Sequence, residues 1–228
     1  MRWRRRLKKF ETTKLFYNKY LYKLTLRNSL SPIFRDKNLS FARQVLDKLQ
    51  HKYEHGERLI FELGIREKPI TEDNFLDSKK LYKIFSKCDD YKLRVQGNSI
   101  SIYSNDKNWL TTISDTVCAT SLELFYEPDT KFIEELNSNS ILITQDIGYQ
   151  FKVTLGQRKG SSEFGKWAEN NPTLVKVGPI LKEELANLGF VNGMYFYARD
   201  ERILQLCQLM LSNIRRIDKL VVKSNLDK

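Results

Sequence analysis

Residues 191–200, Val-Asn-Gly-Met-Tyr-Phe-Tyr-Ala-Arg-Asp, carry the clearest alternation of hydrophobic and polar positions in the chain. Met194, Phe196 and Ala198 fall on one side and Tyr195, Tyr197 and Arg199 on the other, the period of two that a half-buried strand shows. Asp200 stands where a side-chain oxygen caps a helix, and the apolar spacing over 201–211 supplies one. A second alternating stretch sets Tyr20, Tyr22, Leu24 and Leu26 against Leu21, Lys23 and Thr25 and predicts a strand early in the chain.

The period changes to helical after Ser40, the expected cap, with Phe41, Val45, Leu46 and Leu49 recurring toward Glu54 and Gly56. Residues 57–64 fit either a continued helix or a short strand. Pro69 breaks the chain, and 74–88 has helical spacing. Gln96-Gly97-Asn98-Ser99 then joins the strand-like runs 91–95 and 100–103 as a hairpin. Asp106 caps a short helix around Trp109, Leu110 and Ile113, and 121–126 returns as a strand, so the order is β, α, β, β, α, β. A boundary is expected at 128–139, with a short helix at 132–136. Beyond it the pattern predicts strands at 147–155, 174–177, 194–198 and 217–222, and helices at 161–170, 180–188 and 201–211.

Two matches link the halves. Tyr22-Lys23-Leu24-Thr25-Leu26 parallels Phe151-Lys152-Val153-Thr154-Leu155. Val95-Gln96-Gly97 before Ile102-Tyr103-Ser104-Asn105-Asp106 parallels Val191-Asn192-Gly193 before Phe196-Tyr197-Ala198-Arg199-Asp200, with two residues gapped. Both occur in the same order at the same stations, which argues for an internal duplication. The pattern resembles the ferredoxin-like superfold, in particular tandem RNA-recognition-motif domains, over most of 20–223. In that family the third strand carries a basic residue, Gly and alternating aromatics. Gly193, Phe196 and the adjacent tyrosines echo this, whereas Asn192, Met194 and Tyr195 depart from it. The expected fold class is α+β, two tandem ferredoxin-like βαββαβ units: a basic arm at 1–10, a first unit at 11–128, a linker at 129–140 and a second unit at 141–228.

Composition narrows the partners. Net charge is +11, and the first nine residues hold six cations (Arg2, Arg4, Arg5, Arg6, Lys8, Lys9) with no acid, so about half of the excess is a short arm. Such an arm attracts polyanions through Coulomb forces and counterion release. No apolar run approaches membrane-spanning length, and the first residues lack a signal-peptide core, so the expectation is a cytoplasmic protein without membrane insertion. Cys88, Cys118 and Cys207 fit neither a disulfide framework nor zinc spacing and read as buried reduced thiols.

If Leu24, Leu26, Val153 and Leu155 face helices, then Lys23, Thr25, Lys152 and Thr154 face away, together with Ser101, Tyr103 and Asn105 in one half and Tyr195, Tyr197 and Arg199 in the other. Lysines beside tyrosines on an open sheet suit single-stranded nucleic acid, whose bases stack on aromatics while cations hold phosphates. Gly156-Gln157-Arg158-Lys159-Gly160-Ser161-Ser162 adds an anion-holding loop before a helix but lacks P-loop spacing. The expected contact set is therefore Arg2, Arg4, Arg5, Arg6, Lys23, Tyr103, Lys152, Arg158, Lys159, Tyr195, Tyr197 and Arg199, with no cofactor, metal or catalytic residue. The competing reading is a structural or adaptor protein, of viral type, whose sheet faces pack in a homo-oligomer or assembly. A third reading rests on His51 and His55, four apart on one helix side. It compares them with the general acid/base histidine of CRISPR RNA-processing nucleases, whose glycine-rich C-terminal loop is missing here.

Overall fold

The computed structural model describes residues 7–63, 66–118, 121–157 and 159–225. Arg2, Arg4, Arg5, Arg6 and Arg158 of the expected contact set lie outside the described residues. The chain divides into two compact units, Met1–Thr130 and Lys131–Lys228. The first contains β1 (Lys8–Glu11), β2 (Tyr22–Arg27), a 3-10 segment (Ser31–Lys37), α1 (Leu39–Glu54), β3 (Ile60–Leu63), β4 (Arg66–Pro69), α2 (Glu72–Phe85), β5 (Lys92–Gln96), β6 (Ser99–Ser104), α3 (Lys107–Thr116) and β7 (Leu122–Glu127). After a 3-10 turn at Thr130–Glu135, the second contains β8 (Ser140–Ile143), β9 (Phe151–Leu155), α4 (Ser162–Asn170), β10 (Val175–Val177), α5 (Pro179–Ala186), β11 (Tyr195–Ala198), α6 (Glu201–Met210) and β12 (Ile214–Val222).

Each unit is a mixed α+β structure around one five-stranded sheet. The strand orders are β1-β7-β2-β6-β5 and β10-β11-β9-β12-β8. Both sheets are antiparallel except at one edge, where β1 runs parallel to β7 and β8 parallel to β12. Reading outward from that edge, β1 and β8 correspond, then β7 and β12, β2 and β9, β6 and β11, β5 and β10, an arrangement compatible with two repeated units.

Alternation decides which sheet face is buried. Leu24 and Leu26 of β2 and Ile100 and Ile102 of β6 join Leu46, Leu49, Phe75, Leu81, Leu110 and Ile113 from the helices in one core. Val153, Leu155, Phe196 and Ala198 pack likewise against Phe164, Leu181, Leu185, Leu204 and Cys207. Burying a side chain such as Phe196, which is 0% exposed and lies 5.0 Å ring to ring from Phe164, stabilises by about 1.5–3 kcal/mol. Asp106 and Asp200 cap α3 and α6 by accepting from the Trp109 and Ile203 backbone N–H groups at 2.9 and 3.0 Å.

Several expectations need correction. Asn38, not Ser40, caps α1, accepting from the Phe41 N–H at 3.0 Å, and the Ser40 hydroxyl donates to the Asn38 side chain at 2.8 Å. The ambiguous stretch near residue 60 is a strand of the β3–β4 hairpin, and Pro69 closes that hairpin. Both segments expected to be helical before the 91–95 strand are helices, α1 and α2, and the β3–β4 hairpin stands between them as an addition to the βαββαβ order. The last residues of the expected arm form β1, and the end of the expected linker begins β8. Both edge strands are only four residues long, and the sequence of β1 has every side chain exposed, so no buried periodicity marks it. Cys207 is buried, which pushes its thiol up to about 12, whereas Cys88 and Cys118 are only partly buried. Among the described residues, no helix is long and apolar enough to cross a membrane.

Candidate nucleic-acid interface

The face of the second sheet away from the helices carries an aromatic and cationic cluster. Tyr195 pairs in register with Thr154, and Tyr197 with Lys152 on one side and Lys176 on the other. The two tyrosine rings meet edge to face at 5.5 Å, and the Lys152 ammonium sits 3.8 Å from the centre of the Tyr195 ring. Tyr195 is 44% exposed. Tyr197 is half-buried, which pushes its phenol up from the ordinary value, with the Tyr195 hydroxyl a smaller cause. Tyr149, from the loop before β9, leans on Tyr197 at 6.3 Å and donates its hydroxyl to the Pro172 carbonyl at 2.8 Å. Arg199 extends the same alternation, but its guanidinium donates to Asp200 at 3.0 Å. The Asp200 carboxyl is held below its usual range, first by the Ile203 N–H it accepts and then by Arg199.

Opposite Lys152 on β12 is Asp218, buried and bonded to Arg216 at 2.6 Å. Arg216 also donates to the Ser138 carbonyl at 2.7 Å, so this carboxylate is spoken for by the neighbouring guanidinium. No carboxylate among the described residues forms an ion pair with Lys152 or Lys176. The Lys152 ammonium on the Tyr195 ring and the exposed Lys176, cross-strand from Tyr197, thus have no carboxylate partner among the described residues.

The corresponding face of the first sheet is covered at its tyrosine. Tyr103, expected to be open, is only 4% exposed, because the segment between β1 and β2 folds across it. Phe16 packs on Tyr103 at 5.4 Å and on Tyr126 at 5.6 Å, and Tyr17 meets Tyr103 edge-on at 5.0 Å. The segment reverses between the bridged residues Phe16 and Tyr20, through Tyr17 and Asn18, both left-handed at φ 53° and 59°, with the Lys19 and Tyr20 N–H groups donating to the Phe16 carbonyl at 3.1 and 2.9 Å. Lys23 lies under this cover, 5.0 Å from the Tyr126 ring and 5.8 Å from Phe16 and Tyr103. Desolvation, followed by the nearby Arg94, lowers its pKa. Tyr103 is therefore covered in this structure, and Lys23 is half-buried beneath the same segment.

Of the other expected residues, Lys159 is exposed in the β9–α4 loop, which a bridge between Lys159 and Phe190 holds in place. The glycines of that loop serve packing. A Cβ on Gly160 would lie 3.0 Å from the Glu184 carbonyl and Leu185 Cα, and one on Gly156 3.2 Å from the Asn213 carbonyl. His51 and His55 stack at 4.2 Å on exposed helix surface. Nδ1 of His55 lies 2.8 Å from the His51 carbonyl, and no group of three metal-ligating side chains forms among the described residues. Sequence reasoning missed Lys176 and Tyr149. The Lys176 position follows from pairing β10 with β11, and only the loop path brings Tyr149 to Tyr197.

Comparison of the chain with protein-family models, with curated proteins and with solved structures finds no match.

Proposed function

We propose that the chain is a non-catalytic single-stranded nucleic-acid-binding protein built from two ferredoxin-like βαββαβ units of an internal duplication. The second sheet makes the contact and the basic N-terminal residues Arg2, Arg4, Arg5 and Arg6 add to it. One observation carries this reading: Tyr195 and Tyr197 share an accessible sheet face with Lys152 and Lys176, and neither ammonium is paired with a carboxylate. Rings of this kind stack bases at about 1–3 kcal/mol each without demanding a sequence, and the ammonium groups meet the phosphates. Retention on single-stranded RNA or DNA should fall steeply with salt. Lys152→Gln should shallow the slope of log affinity against log salt by about 0.7, the loss of one phosphate contact on a single strand. Absence of binding at low salt rejects the reading.

A second reading, an adaptor whose faces bury in an assembly, draws on the exposure of Phe190 and Leu209, at 72% and 86%. Light scattering across a concentration series tests it. A monomer at all concentrations argues against self-assembly, and a stable oligomer that binds no oligonucleotide favours the adaptor.

A further inference from the structure

The tyrosine face continues into a groove beside α5. In the first unit the hairpin at Gly97 and Asn98 joins β5 directly to β6. In the second, α5 and a following turn stand between β10 and β11. This insertion opens a groove of about 540 Å³ lined by Lys176, Pro179, Ile180, Met194, Tyr195 and Tyr197, with Gly178 and Gly193 completing the wall. A Cβ placed on either glycine would meet nothing within 4 Å, so the space there is open. Ile180 is 69% exposed at the start of α5.

We infer that this groove seats one base of a bound single strand, next to the bases stacked on Tyr195 and Tyr197. The inference rests on the nucleic-acid reading of that face and adds a subsite to it. Three observations select a nucleobase as the occupant. The groove is continuous with the tyrosine face, since Tyr195 and Tyr197 line both. Its walls of Pro179, Ile180 and Met194 are apolar and suit the flat faces of a heteroaromatic ring. Its one charged lining residue is Lys176, a cation, which matches the backbone phosphate of that nucleotide. The volume falls in the range of about 300–1,000 Å³ usual for small-ligand sites, room for a base and its sugar.

The test uses the full chain, a short oligothymidylate and the same oligonucleotide carrying 4-thiothymidine. Ile180→Glu places a carboxylate in the groove at an exposed position, so its thermal midpoint should match the wild type. Its affinity should fall about tenfold, and photocrosslinks to 176–181 and to Met194, expected in the wild type, should disappear. Unchanged affinity of Ile180→Glu, alongside a Tyr195→Ala/Tyr197→Ala variant that binds weakly, overturns the base subsite and leaves the tyrosine face standing. A wild type that fails to bind at low salt removes both. Conversion of a dimer to a monomer by Ile180→Glu, with oligonucleotide binding intact, assigns the groove to a second copy of the chain and overturns the inference.

Discussion

The two sheets share a strand order and a pattern of lysine beside tyrosine, yet one buries its tyrosine and the other leaves its tyrosines partly open. In the first unit Lys23 and Tyr103 sit side by side on β2 and β6, as Lys152 and Tyr197 do on β9 and β11. The difference lies in the connection from the edge strand to the first central strand. Residues 12–21 in the first unit are long enough to turn back at Tyr17 and Asn18 and lay Phe16 and Tyr17 on the sheet. Residues 144–150 in the second are shorter and bring only Tyr149 against Tyr197. The path of one loop thus decides whether the tyrosine at this station of the sheet is covered or left partly open.

That contrast can be broken at either sheet. The largest effect is expected for Tyr103→Ala, which empties a buried ring site and should destabilise the first unit by about 3–4 kcal/mol, read by urea unfolding with hydrogen exchange to localise the loss. An exposed-site result, a change within about 0.5 kcal/mol, would show that the cover over Tyr103 is not formed in solution. Tyr195→Ala with Tyr197→Ala should behave oppositely. Two stacking platforms of about 1–3 kcal/mol each are lost from oligonucleotide binding, measured by fluorescence anisotropy, with a smaller loss of stability than Tyr103→Ala. Equal destabilisation by the two sets of changes would erase the distinction between the faces.

Phe16→Ala sharpens the comparison by thinning the cover itself. It should cost about 1–2 kcal/mol of stability, and the Lys23 ammonium, now better solvated, should titrate closer to the ordinary lysine value in an NMR pH series. Added oligonucleotide binding by this variant would mean that coverage alone separates the sheets. The smallest effect concerns Glu127 at the end of β7. The Lys107 ammonium at 2.6 Å, with Lys9 at 3.6 Å, holds its carboxyl below the ordinary 4.5. Its folded pKa is therefore the lower one, so its contribution is complete above about pH 4.5 and is lost as pH falls through the folded value. Glu127→Gln should remove that part of the acid dependence, under about 1 kcal/mol for so exposed a pair, in melts recorded from pH 3 to 7. An acid limb identical to the wild type would assign no stabilising role to the pair.

Much of the fold was legible wherever a segment is amphipathic. Lys23 and Thr25, Lys152 and Thr154, and Tyr195 and Tyr197 all fall on the face opposite the helices, as their alternation requires. The Asp106 and Asp200 caps were readable because one oxygen three residues before an N–H is a local arrangement. The β3–β4 hairpin and the edge strands β1 and β8 were not readable, since strands this short carry too few residues for a period to register. The packing role of two glycines was not readable for a different reason. Gly156 and Gly160 are small because Asn213 and Leu185, distant in sequence, press against them.

By itself the sequence determined which side of each strand turns toward helices, because a period of two places every other side chain on one face and burial favours the apolar set. Tertiary structure alone decided whether the polar side stayed in water. That outcome depends on where a loop of no marked periodicity crosses the sheet, and the energy that draws Phe16 and Tyr17 onto Tyr103 comes from contacts between residues about eighty-five positions apart.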